Sequence, residues 1–177
     1  MGGGAWKAAA AGVTVRQVVT RIVRSADLGA VVEIERGCFA DPWSPESFES
    51  SMEPQRMRFL VAEEGQETAS SERVSSGEPR ILGYVVALLL FDEAEIANLA
   101  VAPWARRRGI GGLMLDRMSV DLARGGVQSL YLDVRESNMG ARALYASRLF
   151  EEVGRRRGYY RHPTEDALLL KRNLGRT

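Results

Sequence analysis

The sequence predicts an α/β (α+β) domain built on one mixed sheet. Seven segments have strand composition and four have helical spacing. The strands gather in mid-chain and then alternate with helices, the order that yields a mixed sheet rather than a barrel or a bundle. No period repeats, which excludes solenoids and propellers. The 177 residues, 45% hydrophobic and 27% charged, suit one globular domain with a real core.

Residues 1–14 begin MGGGAWKAAAAG, a Gly/Ala-rich stretch that reads as a disordered leader, so the domain is placed over 15–177. VVTRIVR (18–24) reads as the first strand. Leu28, Val31 and Val32 stand at i, i+3, i+4 and predict a helix over 26–39, with Asp27 as its cap. In DPWSPESF, Ser44 before Pro45 predicts the start of a short helix over 45–52. RFLVAEE (58–64) is a strand. The polar stretch 64–79 reads as a long flexible hairpin loop. The apolar run at 80–92 predicts a strand buried on both faces, followed by a strand over 93–101 that Pro103 ends. The next helix runs to about Arg124 and presents Leu113, Leu115, Met118 and Leu122. Its end is marked by Gly125-Gly126. VQSLYLDV (127–134) shows no alternation and reads as a fully buried strand. Asn138 is placed to cap a helix over 139–149, and strands over 149–160 and 166–174 close the chain.

Composition excludes several classes of function. There are 24 basic and 23 acidic residues, a net charge of +1, with none of the basic excess of a nucleic-acid binder. The single Cys38 cannot form an internal disulfide and reads as a packed thiol. No Cys/His/Asp spacing suggests a metal. The N-terminus lacks the pattern of a signal peptide, and the run at 81–91 is too short for a membrane helix. A cytoplasmic protein with no membrane or nucleic-acid partner, a monomer or weak dimer, is expected.

The sharpest motif is RRRGIGG (106–112), between a strand and a helix. A helix start leaves N–H groups unpaired and carries about half a positive charge, so anions bind there. Glycines admit a phosphate to the backbone, and Arg106, Arg107 and Arg108 add full charges. A GxxxxGK[ST] string is absent, and GxGxxG lacks its last glycine.

R-x-x-G-x-G within NLAVAPWARRRGIGGLML (98–115) resembles the coenzyme-A-binding signature of GNAT-type N-acetyltransferases. LYLDVRESNMGARALYASRLFEEVGRRRGYY (130–160) resembles the family's next core segment. YYRHPTEDALLL (159–170) and DPWSPESF (41–48) are similar to the RimI-type branch, whose members acetylate the N-terminal alanine of a small-subunit ribosomal protein. The resemblance covers about 18–172. It implies the GNAT fold with a mostly antiparallel sheet, acetyl-CoA as acyl donor, and a ribosomal-protein N-terminal peptide as partner.

Residue by residue, the resemblance assigns Leu99, Ala100 and Val101 to a bulged strand that pairs with the pantetheine arm. It assigns Arg106 through Arg108, Gly109, Ile110, Gly111 and Gly112 to the pyrophosphate loop, and Asn138 to the cofactor as well as to its helix. It makes Tyr145 the acid that protonates the leaving thiol. The base is Asp133, where the branch pattern has Glu, or Glu95 on the preceding strand. An α-amine of pKa about 7.7–8.0 needs only a weak base. Trp43 is either a packed ring or an anchor over the acceptor channel. Tyr159 and Tyr160 are candidates to grip the peptide, and His162, the only histidine, reads as a surface residue. A GNAT acting on another protein N-terminus, a lysine or a small amine, and a CoA-binding module with degenerate catalysis, are the alternatives.

Overall fold

The computed structural model describes residues 17–65 and 80–175. The expected leader and, apart from Glu64 and Gly65, the expected loop over 64–79 lie outside the described residues.

Seven strands and four helices follow in the predicted order: β1 Val18–Ile22, α1 Leu28–Cys38, α2 Pro45–Ser50, β2 Met57–Glu64, β3 Ile81–Leu90, β4 Glu93–Val101, α3 Ile110–Arg124, β5 Ser129–Arg135, α4 Met139–Ala146, β6 Glu151–Arg161 and β7 Thr164–Asn173. The strands make one sheet in the order β1-β2-β3-β4-β5-β7-β6. Every pairing is antiparallel except β4 with β5.

Local chemistry explains most boundaries. Ser44 accepts a hydrogen bond from the Ser47 N–H at 3.3 Å and Pro45 opens α2, as predicted. Asn138 accepts from the Ala141 N–H at 3.1 Å and caps α4. That helix stops before 149, because Leu149 adopts φ 62° beyond it. Phe91, also at positive φ, turns β3 into β4.

Three local expectations are corrected. Asp27 does not cap α1. Its carboxylate accepts from the Arg24 N–H at 2.6 Å and from the Arg21 guanidinium at 2.7 and 2.9 Å, tying the turn before α1 to β1. Leu113 is 40% exposed, and Met114 takes its place in the core beside Leu115, Met118 and Leu122. At about 100° per residue, position 113 stands nearly opposite 115. β5 alternates: Leu130, Leu132 and Val134 are buried, while Tyr131, Asp133 and Arg135 face the other way. Its apolar side packs into the core, and its other side carries the polar groups of the site.

The core runs along both faces of the sheet. Under α2, Phe48 is fully buried, with its ring 5.4 Å from Trp43, 6.0 Å from Phe59 and 5.3 Å from Tyr84. Met114, Leu115 and Met118 of α3 fill the opposite side.

Candidate active site

The parallel pairing of β4 with β5 lasts only from Glu93 opposite Ser129 to Ile96 opposite Leu132. β4 then slips register against β3: Ile96 faces Ala87, but Asn98 faces Val86, leaving Ala97 as an extra residue. This bulge bends the strand. Beyond it Leu99, Ala100 and Val101 pair with β3 on one side, while Asp133 to Arg135 of β5 pair with β7. The two strands therefore part, and among the described residues the β5-facing edge of Leu99 to Val101 has no partner strand. Its backbone groups suit an amide-bearing ligand.

The opening leads to the start of α3. Arg107 sits at φ 64° and Gly109 at φ 76°, a conformation that glycine adopts without strain. Around the Cβ position of Gly109 no atom lies within 4 Å. The first intrahelical bond runs from Leu113 N–H to the Gly109 carbonyl, so the N–H groups of Ile110, Gly111 and Gly112 precede it. Ile110 is buried and offers only backbone. These features fit a diphosphate.

The loop's charges are divided. Arg106 turns back, its Nε 3.3 Å from the Val101 carbonyl and its Nη2 3.2 Å from Cys38 Sγ. Arg108 lies 3.4 Å from Glu64. Gly111 and Gly112 also serve packing. A Cβ at Gly111 would come within 3.2 Å of Leu144, and one at Gly112 within 1.7 Å of the Arg148 guanidinium. Arg148 donates to the Gly112 carbonyl at 3.3 Å and pairs with Asp116 at 3.2 Å. Sequence reasoning missed it, since an arginine just past a helix carries no distinguishing local pattern.

Asp133 lies on the polar side of β5 with its side chain 8% exposed. Neither of its oxygens has a hydrogen-bond donor among the described residues, although Arg156 Nη1 of β6 stands 3.1 Å from Oδ2. The contact is thus an ion pair without hydrogen-bond alignment. Burial pushes the Asp133 carboxyl above its ordinary value, and the Arg156 charge opposes that. Tyr145, 7% exposed, packs edge-on against Phe150 at 5.7 Å. Burial, then the field of Tyr160, raises its hydroxyl to about 12. Tyr160 is itself raised to about 12 by burial and the negative charge of Asp133. Tyr160 therefore stands electrostatically between Asp133, whose charge acts on it, and Tyr145, on which it acts.

Glu95 pairs with Tyr131 across β4 and β5, two residues from Asp133 and on the same face. Both candidate bases thus remain on one side of the sheet. Tyr159 and Tyr160 stack edge-on at 5.1 Å, beneath Arg156 and Arg135 respectively. His162 is exposed in the β6–β7 turn. Trp43 packs on Phe48.

A second residue escaped sequence reasoning. Glu35 of α1 is 1% exposed, and its carboxylate accepts from the Trp43 N–H at 2.8 Å, from Asn98 Nδ2 at 3.1 Å and from the Tyr84 hydroxyl. The only signal in the sequence was an acidic residue amid the apolar positions of a helix. Among the described residues no cluster of His, Cys, Asp or Glu could hold a metal ion, and no helix is long and apolar enough to cross a membrane.

Residues 28–149 match the model of the Acetyltransferase (GNAT) family. The chain is 33% identical over 152 residues to the [ribosomal protein bS18]-alanine N-acetyltransferase of Escherichia coli strain K12, covering 84% of this chain and 92% of that one. It is 35% identical over 152 residues to the N-alpha-acetyltransferase RimI of Mycobacterium tuberculosis, covering 85% and 89%. The crystal structure of the ribosomal-protein-S18-alanine N-acetyltransferase from Escherichia coli superposes with a TM-score of 0.76 at 28% identity, over 91% of this chain and 96% of that one.

Proposed function

The chain belongs to the GNAT family of acetyltransferases, and from that premise we propose that it transfers acetyl from acetyl-CoA to the N-terminal alanine amine of a small-subunit ribosomal protein. The observation that carries the reading is the parting of β4 from β5 beside an uncrowded helix start, with a buried carboxylate and a buried tyrosine near the opening.

In this reading the open edge of Leu99 to Val101, apart from the Val101 carbonyl that Arg106 and Cys38 already occupy, holds the pantetheine arm. The N–H groups of Ile110 to Gly112, with Arg107 and Arg108, hold the diphosphate. Arg106 supports the loop from behind through its bonds to Val101 and Cys38. Asn138 orders the start of α4 through its cap and is proposed to contact the cofactor as well. Bound acetyl-CoA supplies an activated acetyl thioester.

Asp133 takes the proton from the acceptor ammonium. Its orphaned oxygens provide acceptor sites that a substrate N–H satisfies. Its raised pKa brings it closer to the working pH, which favours a base. Tyr145 stays protonated through neutral pH and donates to the sulfur as negative charge develops there. The burial that lifts the phenol lifts a thiol in the same site as well, so their proton affinities stay comparable. Tyr159 and Tyr160 flank the acceptor, and the reaction takes place in the cytoplasm.

Thiol release from acetyl-CoA tests the proposal, with peptides carrying the bS18 N-terminus, lysine peptides and polyamines as acceptors. The expected result is turnover on the alanine peptide, with acetyl on its α-amine by mass spectrometry. Preference for lysine or polyamines overturns the acceptor assignment. Acetyl-CoA binding without turnover on any amine leaves only a binding module.

A further inference from the structure

Glu35 is the most deeply buried acid among the described residues, and the chemistry above does not use it. Burying a carboxylate costs several kcal/mol unless donors satisfy it, and an apolar side chain of similar volume commonly packs as well or better. Here three donors come from three different parts of the fold. Trp43 N–H belongs to the loop between α1 and α2, Tyr84 to β3, and Asn98 to β4 immediately after the Ala97 bulge.

The register fixes where this network lies relative to the chemistry. Asn98 faces Val86 and Glu95 faces Leu88, two positions apart on β3 and so on one face. Glu95 also pairs with Tyr131, two positions before Asp133. Glu35 therefore sits on the Asp133 face of the sheet, where an acceptor amine must approach. One of its oxygens, Oε1, takes both the Trp43 N–H and the Asn98 amide. The other takes the Tyr84 hydroxyl, which burial and the Glu35 charge hold far above its ordinary pKa.

We propose that Glu35 is a positioning residue that, through Oε1, locks the donor strand at Asn98–Leu99 to the α1–α2 loop bordering the acceptor. The inference rests on the acetyltransferase reading. A misplacement of about 1 Å between reacting groups is enough to cost up to 10²-fold in rate, so a single shared acceptor atom between loop and strand has kinetic leverage.

The test compares three single variants of the full chain. Glu35→Leu keeps similar bulk but offers no acceptor to any of these donors, whereas Gln would keep a carbonyl oxygen for Trp43 and Asn98. The expected result is a rise of about tenfold in KM for the alanine peptide and weaker acetyl-CoA binding by calorimetry. The pH dependence of kcat keeps its wild-type limbs, because Asp133 and Tyr145 are untouched. Tyr84→Phe removes a bond to the same carboxylate but spares Oε1, and its KM values stay within about twofold of wild type. Asn98→Ala cuts only the strand end of the link and raises KM like Glu35→Leu. It decides the matter should Glu35→Leu fail to fold.

A purely structural Glu35 would make KM follow thermal stability, with Tyr84→Phe as damaging as the others. That result, or unchanged KM and acetyl-CoA affinity in folded Glu35→Leu or Asn98→Ala, overturns the proposal. Wild-type turnover on the alanine peptide separately tests the function. If wild type prefers another amine, the same variant-to-wild-type ratios are read with that amine, and acetyl-CoA affinity is read whether or not any amine turns over.

Discussion

Replacing Tyr145 by Phe deletes one oxygen and little else. The ring is nearly buried and rests against Phe150 at 5.7 Å, contacts that phenylalanine retains. No other described residue hydrogen-bonds the hydroxyl, so the variant leaves no stranded partner inside the fold. The change should therefore fold normally and act on the chemical step alone. Loss of a positioned acid typically costs about 10²–10⁴ in rate. At about 1.36 kcal/mol per decade, that is about 2.7–5.4 kcal/mol of lost transition-state stabilisation.

The same hydroxyl leaves a mark on stability. Its pKa rises from 10.0 to about 12 in the fold. A raised pKa means its contribution is complete below pH 10 and is lost as pH climbs through 12. That swing is on the order of 3 kcal/mol for a shift of about two units. Urea denaturation at pH 9 and pH 11 should therefore show a steeper alkaline loss for wild type than for Tyr145→Phe. Steady-state kcat with saturating acetyl-CoA checks the first effect. A variant turning over at the wild-type rate, with acetyl-CoA binding intact, refutes the assignment of Tyr145 as the acid.

Arg156→Gln removes the cation that opposes burial at Asp133, so the acid limb of kcat/KM should move to higher pH; an unmoved limb argues for Glu95 as the base. High salt should reproduce part of the shift, since the Arg156 side chain is 47% exposed and open to screening. Gly83→Ala would set a Cβ 2.6 Å from the Ala100 carbonyl oxygen and 3.1 Å from Met114 Cε, and should destabilise the chain by about 1–3 kcal/mol in urea titration. A neutral result there would mean that β3 and β4 separate more easily than their register suggests. Phe48→Ala empties the contact among Trp43, Phe59 and Tyr84 and should cost about 3–5 kcal/mol by the same measurement.

The elements legible in the sequence were those with strong local signals. Ser44-Pro45 and Asn138 announce helix starts because their side chains act within three residues. The run at 80–92 reads as a strand because β3 is covered on both faces along most of its length. Asp133 and Tyr145 were reached through motif resemblance, since nothing local distinguishes a working carboxylate from an idle one. What stayed hidden depends on distant partners. Asp27 was drawn from its helix by Arg21, Leu113 was outcompeted by Met114 for the core, and the donors to Glu35 lie 8, 49 and 63 residues away. The division of labour among the three arginines was equally invisible, because Arg106 faces a thiol 68 positions earlier.

The strand order β1-β2-β3-β4-β5-β7-β6 divides the polypeptide into two nearly self-paired halves joined along a four-rung seam. On the proposed assignment Leu99 to Val101, which would grip the thioester arm, belong to the first half. On the same assignment α3, proposed to hold the diphosphate, Asp133 on β5 and Tyr145 on α4 belong to the second. Neither half then owns a whole catalytic centre under that assignment, so turnover would report that the seam has zipped. Cutting the chain between Ala102 and Ile110 would yield fragments whose activity depends entirely on their reunion.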